Sequence, residues 1–363
     1  MKDKSIHLLN FVGLSFFEPA IRIAAGEEIK KNAIVLFRKV ILPIISIIAF
    51  LLLWSLGAKQ LHDMEVSYKR EAAFKSGGEV AAQQFDACLK SGGKECEITS
   101  LPTPTEVLGA FSTLIADHKI ISAKKDAFEE KTAAMNEKRI VDGLAPITYT
   151  GRPSFVDQIL TSLKTVFSGF FLALFLAVPI GMILGLSETL RASFNWLIQI
   201  FKPVSPVVWY LLVYMIVKTM FLGYDGDTSF IISFIAVGLC AMWATLVNTT
   251  LGVSSVDNDY INVAKVLNLS VGQKVFKIIL PSSFPLIFTG LRITISVAWM
   301  VLIAIELLSQ SPGLGTFVWE EFQNGAGDSN AKIIAAMFVI GAIGFLLDRL
   351  MFSVQKLMTF TEQ

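Results

Sequence analysis

An all-α integral membrane protein with six spanning helices is the fold class this 363-residue chain predicts, and three observations carry it. Hydrophobic residues make up 53% of the chain and the mean hydropathy is +0.61, too apolar for a soluble protein of this size. Several runs approach or exceed the roughly 20 apolar residues that a helix needs to cross a bilayer. Lys and Arg crowd some connectors between those runs and are missing from others, the asymmetry that orients spanning helices. The formal net charge of +1 gives no reason to expect a nucleic-acid partner.

Taken in order, residues 1–39 form a basic N-terminal segment. Its Leu8, Phe11, Val12, Leu14, Phe16 and Phe17 fall in helical register, which predicts an amphipathic helix lying at a membrane interface. The segment lacks the pattern of a cleaved signal peptide and is expected to be retained. A first spanning helix follows over 40–57. Residues 58–156 are polar with mixed charges, and stretches 64–85 and 123–141 have helical composition, so a small helical subdomain is expected there. Residues 157–357 hold the other spans, near 159–186, 197–222, 229–251, 284–309 and 331–352. The third of the six is interrupted by Lys202-Pro203-Val-Ser-Pro206, whose prolines remove backbone donors. It is kinked or begins as a separate short piece, and dropping it leaves a count of five. Gly181 and Gly185 in the second span permit close helix approach, read here as packing within the subunit.

The positive charges set the orientation. Lys2, Lys4, Arg22, Lys30, Lys31, Arg38 and Lys39 precede the first span, and Arg191 separates the second and third. Lys265, Lys274 and Lys277 separate the fourth and fifth, and Lys356 follows the sixth. Connectors 223–228 and 310–330 contain no Lys or Arg. Both termini and the 256–281 loop are therefore expected in the cytoplasm, and the 58–156 insertion outside it. Cys88 and Cys96 lie in that insertion with Gly92 and Gly93 between them. They are either a disulfide, which needs an oxidising compartment, or two free thiols. Cys240 reads as a small core hydrophobe.

Nothing predicts an enzyme. The phosphate-binding Gly-x-x-x-x-Gly-Lys-Ser/Thr loop and the His-Glu-x-x-His metal motif are both missing, and His7, His62 and His118 are scattered. No catalytic or metal-ligating set is expected. Charges inside spans usually face protein or water, so Lys164, Lys218, Arg292 and Glu306, with the hydroxyl of Ser205 at the broken element, are candidates to line a transport path. Lys164 and Lys218 equally suit snorkelling to headgroups. Arg292 suits an anchor for the inner end of its helix. Glu306 would repel an anion, so pairing with a cation is expected for it.

The most specific segment is Tyr260-Ile-Asn-Val-Ala-Lys-Val-Leu-Asn-Leu-Ser270 with Ile278-Ile-Leu-Pro281. Asn268 comes four positions after Ala264, and Ile278 ten positions after that. In this order it resembles the cytoplasmic "EAA" loop of bacterial ABC-importer permeases of the type I kind. Asn262-Val263-Ala264 stands where the family has Glu-Ala-Ala, so the Glu is missing. Asn268 stands at the family's elbow Gly and is the next most tolerant residue of a left-handed conformation. Lys202-Pro-Val-Ser-Pro-Val-Val-Trp209 and Gly313-Leu-Gly-Thr-Phe-Val-Trp-Glu320 are similar to the nitrate/sulfonate/taurine/bicarbonate branch, and most to its nitrate members.

That resemblance implies a permease subunit in a bacterial inner membrane, with Tyr260, Asn262, Val263, Ala264, Leu267, Asn268 and Leu269 coupling it to an ATPase. It also implies ABC ATPase subunits holding ATP and Mg, a second permease copy and a periplasmic solute-binding protein. Nitrate or nitrite is the implied solute; taurine or another sulfonate, bicarbonate and cyanate stay open. An ATP-independent channel and a membrane-anchored periplasmic scaffold are the rival readings.

Overall fold

The computed structural model describes residues 18–26, 28–93, 96, 98–223 and 226–358. The amphipathic stretch expected over residues 8–17 lies outside them. The described residues form thirteen α-helices: α1 Glu18–Ala24, α2 Ile29–Leu36, α3 Leu42–Ser91, α4 Pro104–Val141, α5 Phe155–Leu186, α6 Glu188–Phe201, α7 Pro206–Met220, α8 Ser229–Ser254, α9 Asn258–Val266, α10 Val271–Lys274, α11 Leu280–Ser309, α12 Leu314–Asn324 and α13 Gly327–Met358. Two π-helical turns, Phe37–Ile41 and Val275–Ile279, run α2 into α3 and α10 into α11. Five helices are long and apolar enough to cross a membrane, six if α6 and α7 count as one span bent by 100°.

The chain divides into two compact units, Met1–Leu108 with Ala326–Ala331 and Gly109–Gly325 with Lys332–Gln363. In the first, α3 continues far past the end at 57 expected from hydropathy. Gly57 alone is too weak a breaker, and a helix once nucleated propagates through good helix formers. It bends only at Gly77 and Gly78, the latter at φ 65°, and ends at Gly92 in the left-handed region. Its early turns expose Ile44, Ile47, Ile48, Phe50, Leu53 and Leu56 on all sides, as a helix bathed in lipid would. Lower down, the Glu65 carboxylate accepts from the Thr99 amide and hydroxyl at 3.1 and 3.2 Å. The Thr99 carbonyl accepts from Asn330 at 2.6 Å. A disulfide joins Cys88 to Cys96 across a Cα separation of 6.1 Å.

The second unit is organised around α8, with α5 packed on one side and α11 on the other. Small residues make this possible. A Cβ on Gly169 would come within 2.8 Å of Val237, one on Gly181 within 2.7 Å of Thr249, and one on Gly185 within 2.5 Å of Val253. The Gly181/Gly185 spacing thus serves packing within the chain. On the other side, Gly290 lies against Thr245 and Asn248. One turn away, the Thr245 and Thr294 hydroxyls meet at 2.7 Å, and the Thr245 amide donates to Thr294 at 3.2 Å. With no water in a bilayer core, such hydroxyls need partners from the protein. Gly185→Leu is expected to destabilise the purified protein by about 1–3 kcal/mol, since a packed seam must open. Gly341→Ala, whose added methyl meets open space in the interior of α13, should hold or slightly raise the melting temperature. Equal melting curves for the two variants would contradict the seam.

The third span breaks where its prolines predict. Ser205 caps α7, its hydroxyl accepting from the Val207 amide at 3.4 Å, and Pro206 takes the first helical position. At 15 residues α7 is about 22 Å long, too short to span alone without tilt or help. An aromatic cluster holds the bend: Phe201 stacks on Trp243 at 6.1 Å and both lie against Trp209. Burying these rings stabilises a turn that has given up backbone hydrogen bonds.

Candidate functional site

The elbow between α8 and α11 is built from caps. Asp257 accepts from the Asp259 amide at 3.0 Å and starts α9. After two and a half turns Asn268 takes φ 47°. There the Leu269 amide donates to the Ala264 carbonyl at 3.1 Å and the Asn268 amide to Lys265 at 3.0 Å. This pair of bonds is the Schellman closure, which ordinarily calls for Gly at the left-handed residue. Asn is the substitute with the least steric cost. Ser270 and Gln273 then form a capping box that starts α10 in a new direction. Pro281 sits in the first turn of α11, just past the π-helical turn that joins it to α10.

α9 has two unlike faces. Ala264 is only 2% exposed, and α9 rests on the π-helical turn Val275–Ile279. Asp259, Asn262, Val263, Val266 and Leu267 recur at helical spacing on the other side and line an open groove of about 400 Å³. Tyr260, Val263, Val266 and Leu267 are all exposed, Val266 by 81%. Ala264, which the resemblance places among the coupling residues, is buried in the elbow itself. Its methyl faces the chain's own loop, because positions three and four apart on a helix share a face and 264 belongs with the half-buried Ile261. Leu269 is likewise half-buried, whereas Asn262 and Asn268 are exposed.

The five path candidates are not gathered in one site. Lys164 is exposed with its ammonium 4.7 Å from the centre of the Phe230 ring, and Lys218 is exposed 5.9 Å from that of Tyr214. Ser205 is spent on its cap. Arg292 is tied to α13 by two bonds to Asp348, Nε to Oδ1 at 2.6 Å and Nη2 to Oδ2 at 2.8 Å.

Glu306 corrects the expectation of a cationic partner. It is 1% exposed, and its carboxyl oxygens accept from the Ser162 hydroxyl at 2.7 and 2.9 Å and from the Gly315 amide at 3.0 Å. The Ser162 oxygen in turn accepts from the Leu314 amide at 2.9 Å. The group therefore satisfies the free amides at the start of α12, where helix-end polarity favours a carboxylate without any cation. Gly313 and Gly315 are required there, for a Cβ on either would collide with Glu306, and at Gly315 also with the Ile303 carbonyl.

Sequence reasoning missed the partners Ser162 and Asp348. It also missed Glu321, 2% exposed, beside Arg152 at 3.4 Å and Lys332 at 4.0 Å. No local signal marks such pairs, since their members are far apart in the chain.

Helices of spanning length, a capped elbow and buried polar ties between helices are those of a multi-pass membrane protein. The sequence profile of the family described as "Binding-protein-dependent transport system inner membrane component" matches residues 177–359, half of the chain, and the protein belongs to that family. Nitrate import permease protein NrtB of Synechococcus elongatus is 35% identical over 202 residues, covering 56% of this chain and 69% of the relative. Bicarbonate transport system permease protein CmpB of Synechocystis sp. is 37% identical over 201 residues, 55% and 68% of the two chains. Taurine transport system permease protein TauC of Escherichia coli is 30% identical over 220 residues, 59% and 75%. A chain of the MetNI methionine ABC transporter aligns with a TM-score of 0.48 at 14% identity, covering 56% of this chain and 96% of that one.

Proposed function

We propose that this chain is the permease subunit of an ATP-driven importer for a small oxyanion, nitrate first, in a bacterial inner membrane. The observation that carries the reading is the α9 elbow, an exposed apolar helix face set on a rigid, fully capped turn. A partner ATPase that binds ATP and Mg would seat on it, and closure of the ATPase pair would move α8 and α11 through the elbow. Two copies of the chain would enclose the path, and a solute-binding protein would deliver the anion from outside. An ATP-independent channel would have no use for such a face.

The Lys and Arg distribution supports cytoplasmic termini and an elbow on the same side, with α4 and the later part of α3 outside. The Cys88–Cys96 disulfide supports an oxidising compartment for that insertion. A cysteine placed at Ser76 is then expected to react with a membrane-impermeant thiol reagent on spheroplasts, and one at Asn268 only after the membrane is opened. The opposite labelling would overturn the orientation.

Nitrate is put first because of the similarity to NrtB, and bicarbonate is the second reading because CmpB matches at the same level. Uptake of labelled nitrate into liposomes, with ATPase and binding protein present, should be competed by nitrite and little affected by taurine. Competition by bicarbonate alone would reassign the solute.

A further inference from the structure

We propose that the groove between α11 and α13 is a transient binding site for a small univalent oxyanion, near the cytoplasmic end of the membrane path. This rests on the reading of the chain as an anion importer. The groove is open, encloses about 730 Å³ and is centred on the Arg292–Asp348 pair, with Phe352 and Lys356 along one wall.

Its location is the first argument. Arg292 and Asp348 lie within spanning helices, yet their side chains are 37% and 27% exposed on the surface of the chain. An ion pair at such a depth faces protein or water, because lipid cannot solvate it. The side of α13 turned away from the groove exposes Leu346 and Leu350, a surface that suits lipid. The groove side is therefore the wet side.

Its chemistry is the second. A guanidinium has five N–H donors, and Asp348 occupies two of them. Among the described residues, no other acceptor takes the remaining donors. The centre of the Phe352 ring lies 5.2 Å from the Arg292 guanidinium carbon and 5.1 Å from the Lys356 ammonium, so one ring serves two cations. Lys356 has no carboxylate partner among the described residues. Arg292 and Lys356 against Asp348 leave one net positive charge.

That balance suits one negative charge and no more. The Thr289 and Ser296 hydroxyls on the floor already donate to the Pro285 and Arg292 carbonyls, so they offer oxygens to water and leave the charged groups to meet the anion. Asp348 fixes the arginine and also weakens its pull. A site that must release its ion needs this property.

The test uses the full chain in phosphatidylcholine nanodiscs, with chloride as the probe. Chloride-35 NMR lines broaden in exchange with bound sites, and nitrate should displace part of that broadening. The displaceable part is expected to fall at least threefold in Lys356→Gln, which alters an exposed side chain, and to be unchanged in Lys202→Gln. In Asp348→Asn, half-displacement should need several-fold less nitrate. Unchanged displacement in Lys356→Gln overturns the site. Loss of the signal when phosphatidylglycerol is included would make a lipid headgroup the occupant and also overturn it. Intact displacement in a wild-type chain that, with ATPase and binding protein, imports no nitrate would keep the site and sink the import reading.

Discussion

Val263→Asp is expected to abolish ATP-driven uptake and leave the chain fully folded. The valine is 53% exposed on the outer face of α9, so the isolated protein loses nothing by the change. At a packed contact with an ATPase, the same carboxylate would be an unpaired charge, a change that costs on the order of 3–5 kcal/mol. Affinity would then drop by roughly three orders of magnitude. Co-purification with the ATPase should fail while the melting temperature stays at the wild-type value. Ala264→Asp should behave differently, because its methyl is buried inside the elbow. There the charge enters the chain's own packing, and stability itself should fall by about 2 kcal/mol or more. If Val263→Asp transports normally with its ATPase bound, the outer face of α9 is not the docking surface.

The largest effect on stability is expected from Glu306→Ala. The change leaves the Ser162 hydroxyl and the Gly315 amide without their acceptor in a fully buried position. It also opens a cavity under α12. Removing one member of a buried polar network costs about 3–5 kcal/mol, against roughly 1–3 kcal/mol for a single orphaned neutral donor. Ser162→Ala should therefore be the milder variant, and Gly315→Ala a severe one, since its methyl would strike a backbone carbonyl that cannot move aside. Thermal unfolding in detergent would order the three. A Glu306→Ala protein as stable as the wild type would show that the carboxyl does not hold α12 in place.

The elbow was the most legible part of the chain, for a local reason. A left-handed residue acts within a few residues, so Asn268 announces its role by type and spacing, whereas the caps at Asp257 and Ser270 went unread although their residue types suit them. The break at Lys202-Pro203 was legible on the same ground. The length of α3 was not, because hydropathy marks where a helix leaves lipid and says nothing of where the helix ends. The burial of Ala264 was not legible either, because a motif records which residue is needed and not which way it faces.

Composition, apolar run length and the placement of Lys and Arg were enough by themselves to determine a multi-pass helical membrane protein, and the 260–281 spacing was enough for its family resemblance. These are one-dimensional properties, set by a bilayer of fixed thickness and by backbone preferences that act over a few residues. The partners of charged and hydroxyl groups were decided only in three dimensions. Glu306 and Ser162 lie 144 residues apart, Arg292 and Asp348 56. Which of them meet depends on how α5, α11, α12 and α13 pack, and packing turns on side-chain volumes at glycines such as Gly185 and Gly315. The same packing sends Glu306 to a helix end in place of a cation and leaves the Arg292–Asp348 pair on an open face.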